Sequence, residues 1–277
     1  HTYNTIKRLH SLVVNIEPGD TRKINTALSL FDSSVDTEEL SKKIIDLRHS
    51  TITPKMFEFK LIERAASDKV RIVLPEGREE RILRAADIIV HRNVADIVLL
   101  GDKGLIEDKK VALGLNFDVP IIDPTKAPDF DDFVSTYYDI RKAKGITPEQ
   151  ARDIMADPTY YGTMMVKKDD ADGMVSGSIN TTAHTIRPAF EFIKTKPGVS
   201  IVSSTFFMCL KDKVLAFADC AVNPNPTAEQ LASIAVSTAH TARVFGVDPR
   251  IALLSYSTGS SGKGPDVDLV IEAVKIA

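Results

Sequence analysis

From Val70 onward, short runs of β-branched and large apolar residues alternate with amphipathic stretches, and this alternation constrains the fold more than any other feature of the chain. When each strand is followed by a helix, the chain returns to the same edge of the sheet before pairing again. The pattern therefore specifies a mostly parallel sheet flanked by helices, the α/β class. Val70 to Leu74 reads as a strand ending at Pro75-Glu76-Gly77, after which Ile82, Leu83, Ala86, Ile89 and Val90 recur at helical spacing. Ala95 to Leu100 reads as a second strand closed by Gly101, and Val119 to Ile122 as a short third.

Phe133, Tyr137 and Ile140 line one face of a following helix, which closes with Arg141, Lys142, Lys144 and Gly145. Cations and a glycine suit a helix C-terminus. Thr147-Pro148-Glu149-Gln150 and Thr227-Ala228-Glu229-Gln230 both carry the capping-box pattern, so each predicts a helix start. Asp172 to Val175 reads as a strand running into a polar loop that extends through Arg187-Pro188. Val199 to Leu210 and Val214 to Ala218 are joined by only Lys211-Asp212-Lys213, which favours an antiparallel pair. A last strand is expected at Ile251 to Leu254, and a last helix through Val267, Val270, Ile271 and Val274. Before about Ser50 the texture changes, with a polar helix-like stretch from Glu38 to Leu47 and no strand-helix alternation.

Composition narrows the functional classes. With 43% apolar and 26% charged residues over 277 positions, the chain can build sizeable cores. A formal net charge of -3 gives no long-range attraction to nucleic acid or an anionic membrane, so any anionic ligand depends on local basic groups. No apolar run reaches the roughly 18 residues that a bilayer-spanning helix needs. The two cysteines, Cys209 and Cys220, lie in apolar stretches without a CxxC or Cys-His pattern and read as core residues of a reduced, cytoplasmic protein. His1 stands where a natural start would have Met, which reads as a processed or artificial boundary.

Three loops fall at carboxyl ends of expected strands, where open α/β sheets bind ligands: Ser176 to Thr182, Asp219 to Pro226, and Ser255 to Gly264. Small and hydroxyl residues there leave main-chain N–H groups free to meet phosphate oxygens, although such residues also simply form good turns. Gly259 to Gly264 fails as a nucleotide-triphosphate loop. Ser257 stands where the first glycine is needed, and Gly264 stands where a magnesium-binding hydroxyl is needed. Arg141 and Arg187 each follow an isoleucine near a helix end, and arginine is the side chain for bidentate phosphate capture. Either could instead be a surface cap, with Arg187, beside the hydroxyl-rich loop, the better candidate. His184 and His240 lack partners at metal-ligand spacing and read as structural, so no metal is expected. Ser176-Gly177-Ser178 does not match a serine-hydrolase elbow.

At these loops the chain resembles the phosphate acetyltransferases. The likeness is carried by Val73 to Gly77, Arg141 to Gly145, Val175 to Gly177 with Thr185 to Pro188, Asn223 to Ala232, and Leu254 to Gly259, and it covers about Thr53 to Ala277. It implies an acyltransferase that interconverts acetyl-CoA plus phosphate with acetyl phosphate plus CoA. The implied fold is two α/β domains around a coenzyme A cleft, related in shape to isocitrate and isopropylmalate dehydrogenases, and the implied assembly is a homo-oligomer, usually a dimer. On that reading residues 1–52 are the tail of a preceding regulatory domain and a linker, 53–196 a first α/β domain, and 197–277 part of a second.

The resemblance further implies that Arg141 and Arg187 bind coenzyme A and that Thr182 lies near the ligand. It places Ser176 and Gly177 in the binding loop, and Ser255, Ser257 and Thr258 on a cleft-lining loop. CoA, acetyl phosphate and phosphate are the implied partners, with CoA a substrate and no cofactor. The family's catalytic aspartate and serine-arginine pair are expected beyond Ala277, which implies weak CoA binding and poor turnover by these residues alone. Three other readings compete: a non-catalytic ligand-sensing module like the one fused to some malic enzymes, a phosphate butyryltransferase, and a decarboxylating dehydrogenase. The last predicts a metal-binding aspartate cluster that the sequence lacks.

Overall fold

The computed structural model describes residues 20–40, 52–259 and 261–277. The chain divides into two compact units, His1–Thr51 and Ile52–Ala277. In the first, helix α1 (Thr21–Ser34) buries none of its residues. Most of the polar helix expected from Glu38 to Leu47 lies outside the described residues.

The second unit begins with α2 (Pro54–Ser67), capped by the Thr53 hydroxyl, and then enters a four-stranded parallel sheet. Its strands are β1 (Arg71–Leu74), β2 (Asp96–Leu100), β3 (Ile121–Ile122) and β4 (Gly173–Met174), ordered β3-β2-β1-β4. Helices α3 (Glu80–His91) and α4 (Lys103–Ala112) make the crossovers from β1 to β2 and from β2 to β3. The long return to β4 carries α5 (Phe130–Arg141), α6 (Pro148–Met155) and α7 (Pro158–Lys167). All three pairings are parallel, as the alternation of short strands and helices requires.

Successive strand residues point to opposite faces, and both faces are covered. Val73, Val98 and Leu100 pack with Phe133, Tyr137, Tyr161 and Met164 of α5 and α7 on one face. Leu74, Ile97 and Leu99 pack with Leu83, Ala86 and Ile106 of α3 and α4 on the other. The result is a three-layer unit. Gly162 lets α7 settle onto the sheet, since a Cβ there would lie 3.0 Å from Val73 Cγ1 and 3.2 Å from Leu100 Cδ1.

After β4 come α8 (Thr182–Pro188) and a π-helical turn over Ala189–Ile193. The segment through Arg187 and Pro188, read from sequence as loop, is therefore helical from Thr182. Thr181 supplies the cap, its hydroxyl accepting from the His184 N–H. Strands β5 (Thr205–Cys209) and β6 (Val214–Ala218) form the expected antiparallel pair, with β5 confined to the end of the apolar run. Phe207 stacks with Phe57 of α2 and with Phe245 at centroid distances of 5.2 and 4.6 Å. Phe245 follows helix α9 (Ala228–Val244), and α10 (Pro265–Ile276) completes the described elements. Both expected capping boxes form, at Thr147 with Gln150 and at Thr227 with Gln230.

Two further expectations are corrected. Ile251 to Leu254 forms no strand: a strand exists through its ladder partners, and this apolar segment pairs with none among the described residues, leaving Leu254 85% exposed. Cys209 is exposed and Cys220 only half-buried, so neither is a core residue. Cys209 ends a hairpin strand whose outer positions, Phe206 and Phe217 among them, are also exposed.

Gly77 makes the closest approach between the ends of β1 and β2. A Cβ there would lie 2.5 Å from the Leu100 carbonyl oxygen, which is main chain and cannot rotate away. Gly77→Ala is therefore expected to cost about 1–3 kcal/mol, as overpacking does. Urea unfolding checks this as a lowered midpoint at unchanged slope.

Candidate functional site

Strand order reverses at β1, because the chain moves from β1 outward to β2 and β3 and then returns to place β4 on the other side. Open α/β sheets bind ligands in the crevice outside such a switch point. Here the crevice is filled by the chain itself. Glu76, 6% exposed, accepts four successive main-chain N–H groups: Gly177 at 3.0 Å, Ser178 at 2.9 Å, and Ile179 and Asn180 at 2.7 Å each. Burial pushes the Glu76 carboxyl up, but these four donors, led by Ile179 and Asn180, outweigh it and hold the group below its ordinary range.

The second loop behaves alike. Asp219 accepts from the Ala221, Val222 and Asn223 N–H groups, from Asn223 Nδ2, and from the Ser204 hydroxyl. Burial raises its carboxyl, yet the Ser204 hydroxyl and the loop donors together depress it well below the usual range. In the third loop the hydroxyls themselves are the acceptors. Ser255 Oγ takes the Ser257 N–H, Ser257 Oγ takes the Gly262 N–H, and Ser261 Oγ takes the Thr258 N–H. The main-chain donors that sequence reasoning left free for phosphate are thus largely occupied from within.

The two arginines, by contrast, converge. A cavity of about 380 Å³ is lined by Tyr137, Arg141, Ile146, Ile154, Asp157, Tyr160, His184, Arg187 and Glu191. Arg141 comes from the last turn of α5 and Arg187 from the last turn of α8, 46 positions apart in sequence by subtraction of their numbers. Arg141 is quarter-exposed, with Nη2 3.6 Å from Glu191 Oε1, and its buried Nε meets no protein acceptor. A buried charged donor without a partner is costly, so an arriving acceptor gains correspondingly. Arg187 is exposed and makes no ion pair among the described residues.

Carboxylates hold this site together. Glu191, on the π-helical turn, accepts from the Tyr137 hydroxyl at 2.8 Å. Burial, then the Glu191 hydrogen bond, pushes the Tyr137 phenol up, so it stays a neutral donor. Asp157 caps α7 through the Thr159 and Tyr160 N–H groups, and its Oδ2 lies 3.1 Å from His184 Nε2. Tyr160 packs edge-on against both Tyr137 and the His184 ring. The cavity therefore offers two guanidinium groups, an aromatic wall and two internal counter-charges.

Of the other residues singled out from sequence, half-buried Ser176 lies beneath α8, its hydroxyl accepting from Asn180 Nδ2 and Thr185 Oγ1. Exposed Gly177 turns the loop at a φ of 115°, and Thr182 is exposed on the first turn of α8. Ser255, Ser257 and Thr258 belong to a separate loop, and none of them lines the cavity. Sequence reasoning did not single out Glu76, Asp157, Tyr137 or Glu191 as site residues, reading Glu76 as part of a turn and Tyr137 as part of a helix face. Asp157-Pro158 carried one usable signal, an N-cap followed by proline at the first helical position. His184 meets a carboxylate after all, one 27 positions away. Among the described residues no group of three His, Cys, Asp or Glu side chains is arranged to hold a metal ion, and no helix is long and apolar enough to cross a membrane.

A three-layer parallel α/β unit with two arginines lining one pocket defines an α/β protein of the open-sheet class, and solved structures agree with that fold. A phosphotransacetylase from Streptococcus pyogenes superposes with a TM-score of 0.76 at 42% identity, covering 81% of this chain and 69% of that one. The EutD phosphotransacetylase from Staphylococcus aureus gives 0.72 at 40% identity, covering 78% and 66%. A phosphate acetyltransferase from Nitratidesulfovibrio vulgaris is 67% identical across 278 aligned residues, all of this chain and 40% of that protein. One from Corynebacterium glutamicum is 50% identical over 80% of this chain and 68% of its own length. The profile of the phosphate acetyl/butaryl transferases matches residues 56–277, and the chain belongs to that family. It spans about 40% of the length of curated relatives that align with the whole of it.

Asp219 sets an acid limit on stability. Its folded carboxyl sits below the ordinary 3.8, so the unfolded chain binds the extra proton and stability rises with pH. The contribution is complete above the unfolded value and is lost as pH falls through the folded one. Urea unfolding of the unsubstituted chain and Asp219→Asn is expected to show a large gap at neutral pH that narrows steadily below about pH 4.

Proposed function

We propose that the Arg141–Arg187 pocket binds the anionic part of coenzyme A, and that the protein transfers an acetyl group between CoA and phosphate. The observation that carries this is the convergence of two guanidinium groups, one with an unpartnered buried Nε and one without an ion pair among the described residues, in a cavity within the size range of ligand sites. The similar curated proteins are named phosphate acetyltransferases, which favours acetyl over butyryl transfer and catalysis over ligand sensing.

The chemistry proposed is direct displacement. The CoA thiolate attacks the carbonyl carbon of acetyl phosphate, a C–S bond forms, the C–O bond to phosphate breaks, and phosphate departs with the bonding electrons. A thiol with a pKa near 8.5 is mostly protonated at neutral pH, so a base must take its proton. Guanidinium groups stabilise the charge that collects on the leaving oxygens. Electrons are not transferred, so the step calls for no redox cofactor. Ser176 and Gly177 on the β4–α8 connection and Thr182 at the start of α8 lie outside the pocket's lining, and we assign them, with Ser255, Ser257 and Thr258 on an opposing wall, to the ligand cleft on family resemblance alone.

The same resemblance supports two α/β domains of the isocitrate dehydrogenase type, with residues 197–277 in the second and residues 1–52 in a regulatory tail. The exposed apolar positions Phe206, Met208, Leu215 and Phe217 on one hairpin face support a homo-oligomer. Two unpaired cysteines support a cytoplasmic, reducing setting.

Calorimetry of the 277-residue chain with CoA tests the site. Arg141→Ala and Arg187→Ala are each expected to weaken binding by about tenfold or more, since a hydrogen bond to a charged group contributes about 1.5–3 kcal/mol. Unchanged affinity in both variants removes the pocket from the mechanism.

A further inference from the structure

The crevice between the carboxyl ends of β1 and β4 is built as an anion site and is already filled. Four consecutive main-chain N–H groups converging on one point form a nest of the kind that cradles phosphate. In this chain the anion is the Glu76 carboxylate. An ionised carboxylate offers about four lone-pair sites, and four N–H groups occupy them, so Glu76 has no free capacity to take a proton from a substrate. Its role must be exerted through what it holds.

What it holds leads directly to the pocket. The loop it clasps is pinned from the other side, where Ser178 Oγ donates to Glu79 at 2.9 Å and Arg81 donates to the Ser178 carbonyl at 2.6 Å. Asn180, clasped through its main chain, extends Nδ2 to Thr159 Oγ1 at 3.0 Å and to Ser176 Oγ at 3.2 Å. Thr159 stands in the first turn of α7, whose cap Asp157 faces His184 in the pocket. The next residue after Asn180, Thr181, caps α8, the helix that carries His184 and Arg187.

We propose that Glu76 is the positioning residue of the anion pocket: bound in the Gly177–Asn180 nest, it fixes where α8 begins and thereby where Arg187 points. A main-chain loop this short sets the helix it feeds within a fraction of a turn. Misplacement of a binding group by about 1 Å can cost on the order of a hundredfold in function, so the effect should be read in affinity rather than in folding alone.

This inference rests on the reading of the pocket as a CoA site, and the test separates the two. CoA and inorganic phosphate are titrated by calorimetry into the 277-residue chain, into Glu76→Ala with and without formate, and into Phe117→Ala. The last is a destabilising control: Phe117 packs in the core on the α3 and α4 face and makes none of the hydrogen bonds of the nest. Glu76→Ala is expected to weaken anion binding by about tenfold or more, and formate, small enough to enter the emptied nest, should restore most of it. The control should keep its affinity and ignore formate. Amide exchange at 177–180 should quicken in Glu76→Ala and slow again with formate.

If Glu76→Ala binds like the unsubstituted chain although those amides exchange freely, the proposal is overturned. A loss that formate fails to repair and that Phe117→Ala reproduces also overturns it, because the role is then only stability. An unsubstituted chain that binds phosphate but not CoA sinks the CoA reading, and the phosphate titrations then decide the role of Glu76. Binding of neither overturns both.

Discussion

Where β1 and β4 end side by side, two chain segments about a hundred residues apart must meet without leaving polar groups stranded. Glu76 solves this with one carboxylate: it leaves β1, turns into the crevice and takes the N–H groups of the four residues that follow Ser176. Each such bond involves a charged acceptor and exceeds an ordinary hydrogen bond in strength. Everything downstream is referred to this point. The start of α8, the contact of Asn180 with α7, and the approach of Arg187 to Arg141 all follow from where that loop is held.

The same solution appears at Asp219, whose carboxylate gathers the donors of the following loop and the Ser204 hydroxyl. Spending main-chain donors on internal carboxylates has a chemical consequence. It engages the main-chain N–H groups of the loops from within and leaves side-chain cations as the donors with capacity to spare. Those cations are restrained in turn, since Arg141 faces a Glu191 already engaged by Tyr137, and His184 faces Asp157. Pairing at 3.6 Å orients Arg141 without using all of its donors, which is how a site can be preorganised and still have capacity for an anion.

Much of this architecture was legible locally. Val73-Leu74 and Ile97 to Leu100 alternate between two apolar faces because a parallel sheet is covered on both sides, and unbroken apolar runs signal that burial. The capping boxes at Thr147 and Thr227 are decided within four residues, so they formed where expected. Arg141 and Arg187 could be proposed one at a time, but that they share a cavity could not, because nothing local relates the last turn of α5 to the last turn of α8. Leu254 misled for the opposite reason: its neighbours have strand propensity, but a strand requires a partner with free ladder groups.

The sequence by itself determined the class of fold, the helix starts at the two capping boxes and the two arginines as candidate anion ligands, since periodicity, capping and side-chain chemistry act over a few residues. Only the tertiary structure decided which donors remain for a ligand. Hydrogen bonds between distant segments are settled by competition, and Glu76, read along the chain as part of a turn, wins the N–H groups of a loop that locally looks ready for phosphate. Burial removes water from that contest, so whichever carboxylate the fold delivers to the crevice takes the donors and leaves the guanidinium groups to face the solvent and whatever anion arrives.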